Sequence, residues 1–164
     1  MHSGHRRYLE QRYATKEWYG RGAASGRRMI ADFAFSGSEL RGWTLIRAVH
    51  EEGTTPPATR SLWHRGDPAL ELLSIDSWVC GSARAAHDHL LEVLANIQSE
   101  AIERREGLGD IGFTLNDTMT LFARANVTVL IRNAGPKAVS VSPVARAIDG
   151  HLVRLAGTPR GRGR

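Results

Sequence analysis

The sequence is poor in cysteine and contains no long apolar segment. Cys80 is the only cysteine among 164 residues, which excludes an internal disulfide and a zinc site built from several thiolates. No uninterrupted apolar stretch approaches the roughly 18 residues that span a bilayer, so we expect no membrane-spanning segment. The composition is otherwise globular, with 41% hydrophobic and 24% charged residues, and the length predicts one domain.

Acidic residues are scarce at both ends of the chain. The net charge is +5 overall, but residues 1–28 carry seven basic and two acidic side chains, and residues 151–164 carry four arginines and no acid. The remaining part, 29–150, is therefore acidic, with a net charge of −4. Because phosphate binding requires a basic surface, the charge pattern limits any nucleic-acid contact to the ends.

The two basic ends also lack apolar periodicity. We predict a flexible basic tail over 1–28, one folded domain over 29–156 and a flexible Gly/Arg-rich tail over 157–164. The first stretch has no apolar core of the kind found in secretory signals, which favours a cytoplasmic location. Contact with nucleic acid is predicted through the tails only, and the candidate residues are Arg160, Arg162 and Arg164.

Short segments rich in β-branched and aromatic residues predict four strands in the first half of the domain. These strands are 30–35, 43–50, 61–65 and 70–79. From Ala83 onwards, apolar residues recur at three- and four-residue steps behind a favoured N-cap, Ser82, which predicts a helix over about 83–104.

The second half repeats this pattern with three predicted strands, 111–115, 119–124 and 127–132, and a helix that begins at Ser142–Pro143. The order ββββα–βββα has the form of two related halves, although few residues match between them. We therefore predict an α+β domain in which an antiparallel sheet carries two helices on one face.

The predicted hairpin 118–133 is apolar on both faces. If it turns at Ala125–Asn126, Phe122 lies opposite Val129 on one face, and the other face gathers Met119, Leu121 and Leu130. With the helices on one side only, this second face needs a cover. The cover is a second protomer, the other half of a curled sheet or an apolar ligand, and we predict a homo-oligomer with a dimer favoured.

Cys80 lies two residues before the expected helix N-cap, where the helix dipole favours a thiolate. His87 on that helix is a candidate base, so a thiol enzyme is one hypothesis. The alternative is a small core residue, which free cysteine usually is, and no catalytic motif accompanies the pair. His87 and His89 point about 200° apart on a helix, so they do not share a metal, and no cofactor is predicted.

Trp43, Trp63 and Trp78 fall on three neighbouring predicted strands, where they line a ligand pocket or interface, or pack in the core. Asp76 lies on the same strand as Trp78 and is a candidate partner for strand arginines. The predicted strands carry four such arginines, which are Arg47, Arg65, Arg124 and Arg132. These side chains pair with Asp76, bind an anion or are solvated at strand ends.

The stretch Gly109-Asp110-Ile111-Gly112-Phe113, followed by Leu121 to Val129, resembles a strand–hairpin signature of small bacterial α+β proteins that are often exported. The resemblance covers about 25 residues, and it implies a fold element without an activity. Gly109 and Asn126 are its turn residues, and Asn126 is a candidate for positive φ. If the parent family is exported, a location outside the cytoplasm is the alternative.

The tandem element order and the Gly-Arg-Gly-Arg end resemble the Whirly and PUR families. The resemblance implies single-stranded nucleic-acid binding on a sheet surface, whereas the acidic domain disfavours it. We favour a non-catalytic interaction or ligand-binding module that self-associates through its apolar sheet face. Single-stranded nucleic-acid binding and a small-molecule enzyme with a pocket near Cys80 are the alternatives.

Overall fold

The computed structural model describes residues 3–18, 29–31, 33 and 37–157. Over these residues it contains one seven-stranded antiparallel sheet and three α-helices, which confirms the α+β prediction. The helices are α1 (Ser3–Arg12), α2 (Ala83–Asn96) and α3 (Ser142–Leu155), and a 3-10 turn covers Thr15–Glu17. The strands are β1 (Thr44–Glu51), β2 (Ala58–His64), β3 (Leu72–Val79), β4 (Glu103–Arg104), β5 (Ile111–Leu115), β6 (Met119–Arg124) and β7 (Val127–Asn133).

Two meanders, β1–β2–β3 and β4–β5–β6–β7, join where β3 pairs with β7. Among the described residues, α2 follows three strands and α3 follows four, so the predicted order ββββα–βββα is not confirmed. The described residues of the predicted strand 30–35, which are Ile30, Ala31 and Phe33, are not in a strand. The helix predicted to about 104 ends at Asn96, and residues 103–104 pair with β5 instead.

The stretch predicted as a flexible N-terminal tail contains α1. Leu9 and Tyr13 are buried, and Trp18 is fully buried behind the 3-10 turn. The rings of Tyr13 and Trp18 lie 5.2 Å and 5.6 Å from the ring of Phe113 in β5. The tail prediction is therefore corrected for residues 3–18, because distant apolar partners bury a segment whose own periodicity is weak. Residues 19–28 and the predicted tail from 158 onwards lie outside the described residues.

The helices α2 and α3 cover opposite faces of the sheet, which corrects the prediction of two helices on one face. Leu121 of β6 packs with Leu90 and Leu94 of α2. Its neighbour Phe122 packs with Ile148 of α3 instead. Since successive strand residues point to opposite faces, the two helices cover opposite faces of the β6–β7 part of the sheet.

The β6–β7 hairpin has the predicted register, with Phe122 opposite Val129 and Arg124 opposite Val127. Its turn differs in one detail, because Ala125 has the positive φ of 51° and Asn126 does not. Asn126 is buried, and its side chain forms hydrogen bonds with backbone groups of two other segments. Its amide accepts from the N–H of Ile30 and donates to the carbonyls of Ile30 and Cys80, at 2.7–2.9 Å.

Within the part of the chain that the structure describes, no helix is both long and apolar enough to cross a membrane.

Candidate functional site

The outer half of the sheet extends beyond α2. That helix contacts β6 and β7, whereas seven of the eight residues of β1 are exposed. Leu45, Ile46 and Val49 of β1 are 45%, 46% and 49% exposed. The molecule therefore presents an apolar edge strand and, next to it, a sheet surface that none of the described helices covers.

On the α2 side of the sheet, side chains from four strands form two neighbouring rows. The pairing places Leu62 and Ser74 between Arg47 of β1 and Arg132 of β7. In the adjacent row, Arg60 of β2 lies opposite Asp76 of β3. We call this surface the open sheet face, and its members are Arg47, Arg60, Leu62, Ser74, Asp76 and Arg132.

Asp76 is the buried group of the open sheet face, with 4% of its surface exposed. Arg132 Nη2 donates to Asp76 Oδ2 at 3.0 Å, and Arg60 Nε lies 3.2 Å from Glu51 Oε1. Burial raises the pKa of Asp76, and the attraction of Arg132 and Arg60 only partly offsets that effect. The sheet thus holds a carboxylate where its charge is unfavourable, a feature that concentrates at functional sites.

The three tryptophans do not form a common pocket. Trp78 lies on the α2 side, with its ring centroid 4.9 Å from that of His89. Trp43 and Trp63 are buried on the α3 side, where Trp63 Nε1 donates to Ser61 Oγ at 2.8 Å. Asp76 and Trp78, two residues apart on β3, share the α2 face of the sheet.

Cys80, which precedes α2, and His87, which lies on α2, are both buried. Burial raises the pKa of the Cys80 thiol to about 11, although a hydrogen bond with Thr128 opposes the shift. Burial likewise lowers the pKa of His87. A nucleophilic cysteine needs a lowered pKa and access to substrate, so this environment favours a core role. Across the described residues, no three His, Cys, Asp or Glu side chains are grouped to hold a metal ion.

The apolar surface predicted for self-association is covered within the chain. Leu121 and Leu130 are buried under α2, and Met119 packs against the same cluster. The interface prediction at these three residues is corrected, because the cover that they require is α2 on this face. The arginines proposed to contact nucleic acid, Arg160, Arg162 and Arg164, lie outside the described residues.

A buried ion network, which residue spacing does not predict, connects α3 to the start of β5 and the end of β6. Arg124 Nε and Nη2 donate to the two oxygens of Asp149 at 2.7 Å and 2.8 Å, and Nη1 donates to Asp110 Oδ1 at 3.0 Å. The hydrogen bonds to Asp149 are the main cause that raises the pKa of Arg124. Asp149 also accepts from the N–H of Gly109 at 3.0 Å.

The glycine in this network has a backbone that other residues rarely adopt. Gly109 has a φ of +64°, and a Cβ there would lie 2.5 Å from the carbonyl oxygen of Ala123. Gly109, Asp110 and Arg124 thus belong to one hydrogen-bonded network with Asp149 of α3. Asp149 lies too far along the chain for residue spacing to indicate this contact.

Comparisons with protein-family models, with curated proteins and with solved structures found no match to this chain. The function is therefore argued from the exposed edge strand and the open sheet face.

Proposed function

We propose that this protein is a non-catalytic interaction module that self-associates through β1, so that its sheet continues into a second copy. The observation that carries the proposal is the exposure of β1, an eight-residue strand at one edge of the sheet. At the other edge, β4 has only two residues. The chain thus exposes a long edge on one side and a short one on the other.

Long apolar edge strands favour pairing with another chain, and proteins usually protect them with charge, proline or bulges. β1 contains no proline, and its apolar residues face solvent on both sides of the sheet. Its one irregularity lies between Leu45 and Arg47, which leaves the segment 47–51 regular. That segment is free to form a new ladder.

The charges of β1 favour a second copy as the partner. Antiparallel pairing about a two-fold axis at Val49 places Arg47 of each copy opposite Glu51 of the other. Opposite charges across a ladder stabilise pairing by roughly 0.2–1 kcal/mol each. Two such pairs would flank a Val49–Val49 contact at the axis, and the two open sheet faces would lie on the same side.

The first experiment replaces Val49 with lysine, which puts two like charges together at the axis. Light scattering after size-exclusion chromatography should show a dimer for the unmodified protein and a monomer for Val49→Lys. Val153→Lys is the matched control, since Val153 is 48% exposed on α3. A monomeric unmodified protein at its solubility limit, or a Val49→Lys protein that remains dimeric, would contradict the proposal.

A charge exchange tests the register. Arg47→Glu and Glu51→Arg each place like charges opposite one another in a homodimer, so each variant alone should be monomeric. When the two are mixed, every cross-strand pair becomes attractive, and a heterodimer should form. Absence of the heterodimer, while both variants keep the circular dichroism of the unmodified protein, counts against this pairing.

A further inference from the structure

We infer that the open sheet face binds a small oxoanion, of the phosphate or carboxylate type, between Arg60 and Arg132 above Ser74 and Asp76. The site lies within one copy of the chain. It therefore does not depend on the self-association proposed above.

The two arginines approach the same place from opposite sides of β3. Arg60 lies opposite Asp76 on β2, and Arg132 on β7 contacts Asp76 directly. Their side chains are 54% and 46% exposed, whereas the Asp76 side chain is 5% exposed. The guanidinium groups thus reach solvent and form a cover over the carboxylate.

These guanidinium groups retain donors for a ligand. A guanidinium has five N–H donors in a planar fork that matches carboxylate and phosphate oxygens. The contact of Arg132 with Asp76 uses Nη2, and that of Arg60 with Glu51 uses Nε. These contacts leave further N–H groups on both guanidinium groups, and the proposed oxoanion across β3 accepts from them.

The floor between the arginines suits an anion with an apolar portion. Ser74 supplies a hydroxyl donor, and Leu62 beside it supplies an apolar surface, both half-buried in the row that ends at Arg132. Arg47 lies at the far end of that row. The three arginines outnumber the carboxylates that they contact, Asp76 and Glu51, so the arrangement favours a negatively charged ligand.

Asp76 acts as a positioning residue in this arrangement. Its oxygen orients Arg132, but its negative charge also repels an incoming anion. Replacement by asparagine keeps an oxygen acceptor for Arg132 and removes the repulsion. We therefore expect Asp76→Asn to bind the anion more tightly than the unmodified protein, an effect that adsorption elsewhere on the surface would not show.

The experiment is calorimetric titration with pyrophosphate and with citrate, at an ionic strength held constant with chloride. One site per chain is expected. Arg60→Gln and Arg132→Gln should each weaken binding at least tenfold, equivalent to about 1.4 kcal/mol, and Asp76→Asn should strengthen it several-fold. Arg65→Gln is the matched control, because Arg65 pairs with Glu71 at 2.7 Å and lies over the ring of Trp43, away from the site.

Three outcomes would overturn the inference: no binding of either probe, equal weakening by Arg65→Gln, or weaker binding by Asp76→Asn. If Arg132→Gln does not fold, the double variant with Asp76→Asn removes the unpaired buried charge and should still have lost binding. The tighter of the two probes identifies whether the site takes phosphate or carboxylate.

Discussion

Replacing Arg124 with methionine tests whether the buried network holds α3 against the sheet. The side chains of Arg124, Asp110 and Asp149 are 15%, 3% and 10% exposed. Methionine keeps much of the volume but removes three charge-assisted hydrogen bonds. Two carboxylates then remain together in a largely buried site without their cation.

Removing one partner of a buried ion pair costs about 3–5 kcal/mol, a large part of the roughly 5–15 kcal/mol that stabilises a typical domain. Urea unfolding followed by circular dichroism at pH 7 should show a loss in this range. Arg65→Met is the control, since its ion pair with Glu71 is more exposed, and the loss there should stay below about 1 kcal/mol.

A loss in the free energy of unfolding below about 1 kcal/mol would refute the reasoning.

Two further predictions concern buried polar groups. Asn126→Ala removes the partner of three buried backbone groups and should lower the free energy of unfolding by about 3 kcal/mol. The control is Asn96→Ala at the exposed end of α2. Similar losses for the two variants would contradict the role of Asn126. Cys80, with a pKa of about 11 and a buried side chain, should react with a thiol reagent at pH 8 only when urea unfolds the protein, and rapid reaction in native buffer would show that the thiol is accessible.

Local pattern predicted the elements whose partners lie nearby in the sequence. Strands 111–115 and 119–124 have the predicted bounds, and the register of the β6–β7 hairpin follows from its turn at Ala125–Asn126. A short turn and alternating apolar residues decide such pairing locally. The end of α2 was missed because the apolar spacing continues beyond Asn96, while pairing with β5 draws residues 103–104 into the sheet.

The candidate site was only partly predictable for the same reason. Asp76 and Trp78 share a face because strand residues two apart always do. That Arg132, 56 residues later, contacts Asp76 depends on the pairing of β3 with β7. Trp43 and Trp63 were grouped with Trp78 by strand membership, yet they point to the other face.

Periodicity, turn chemistry and composition already determine the α+β class, the register of the β6–β7 hairpin and the basic character of the ends. Long-range packing, which no local pattern contains, places α2 and α3 on opposite faces of the sheet, adds α1 to the core and leaves β1 exposed. Helix periodicity identifies an apolar stripe but not the sheet face that it covers. Which sheet surface remains exposed depends on where each helix packs in the folded chain. Because α2 covers the β6–β7 hairpin and β1 stays exposed, the candidate interface is β1 and not the hairpin.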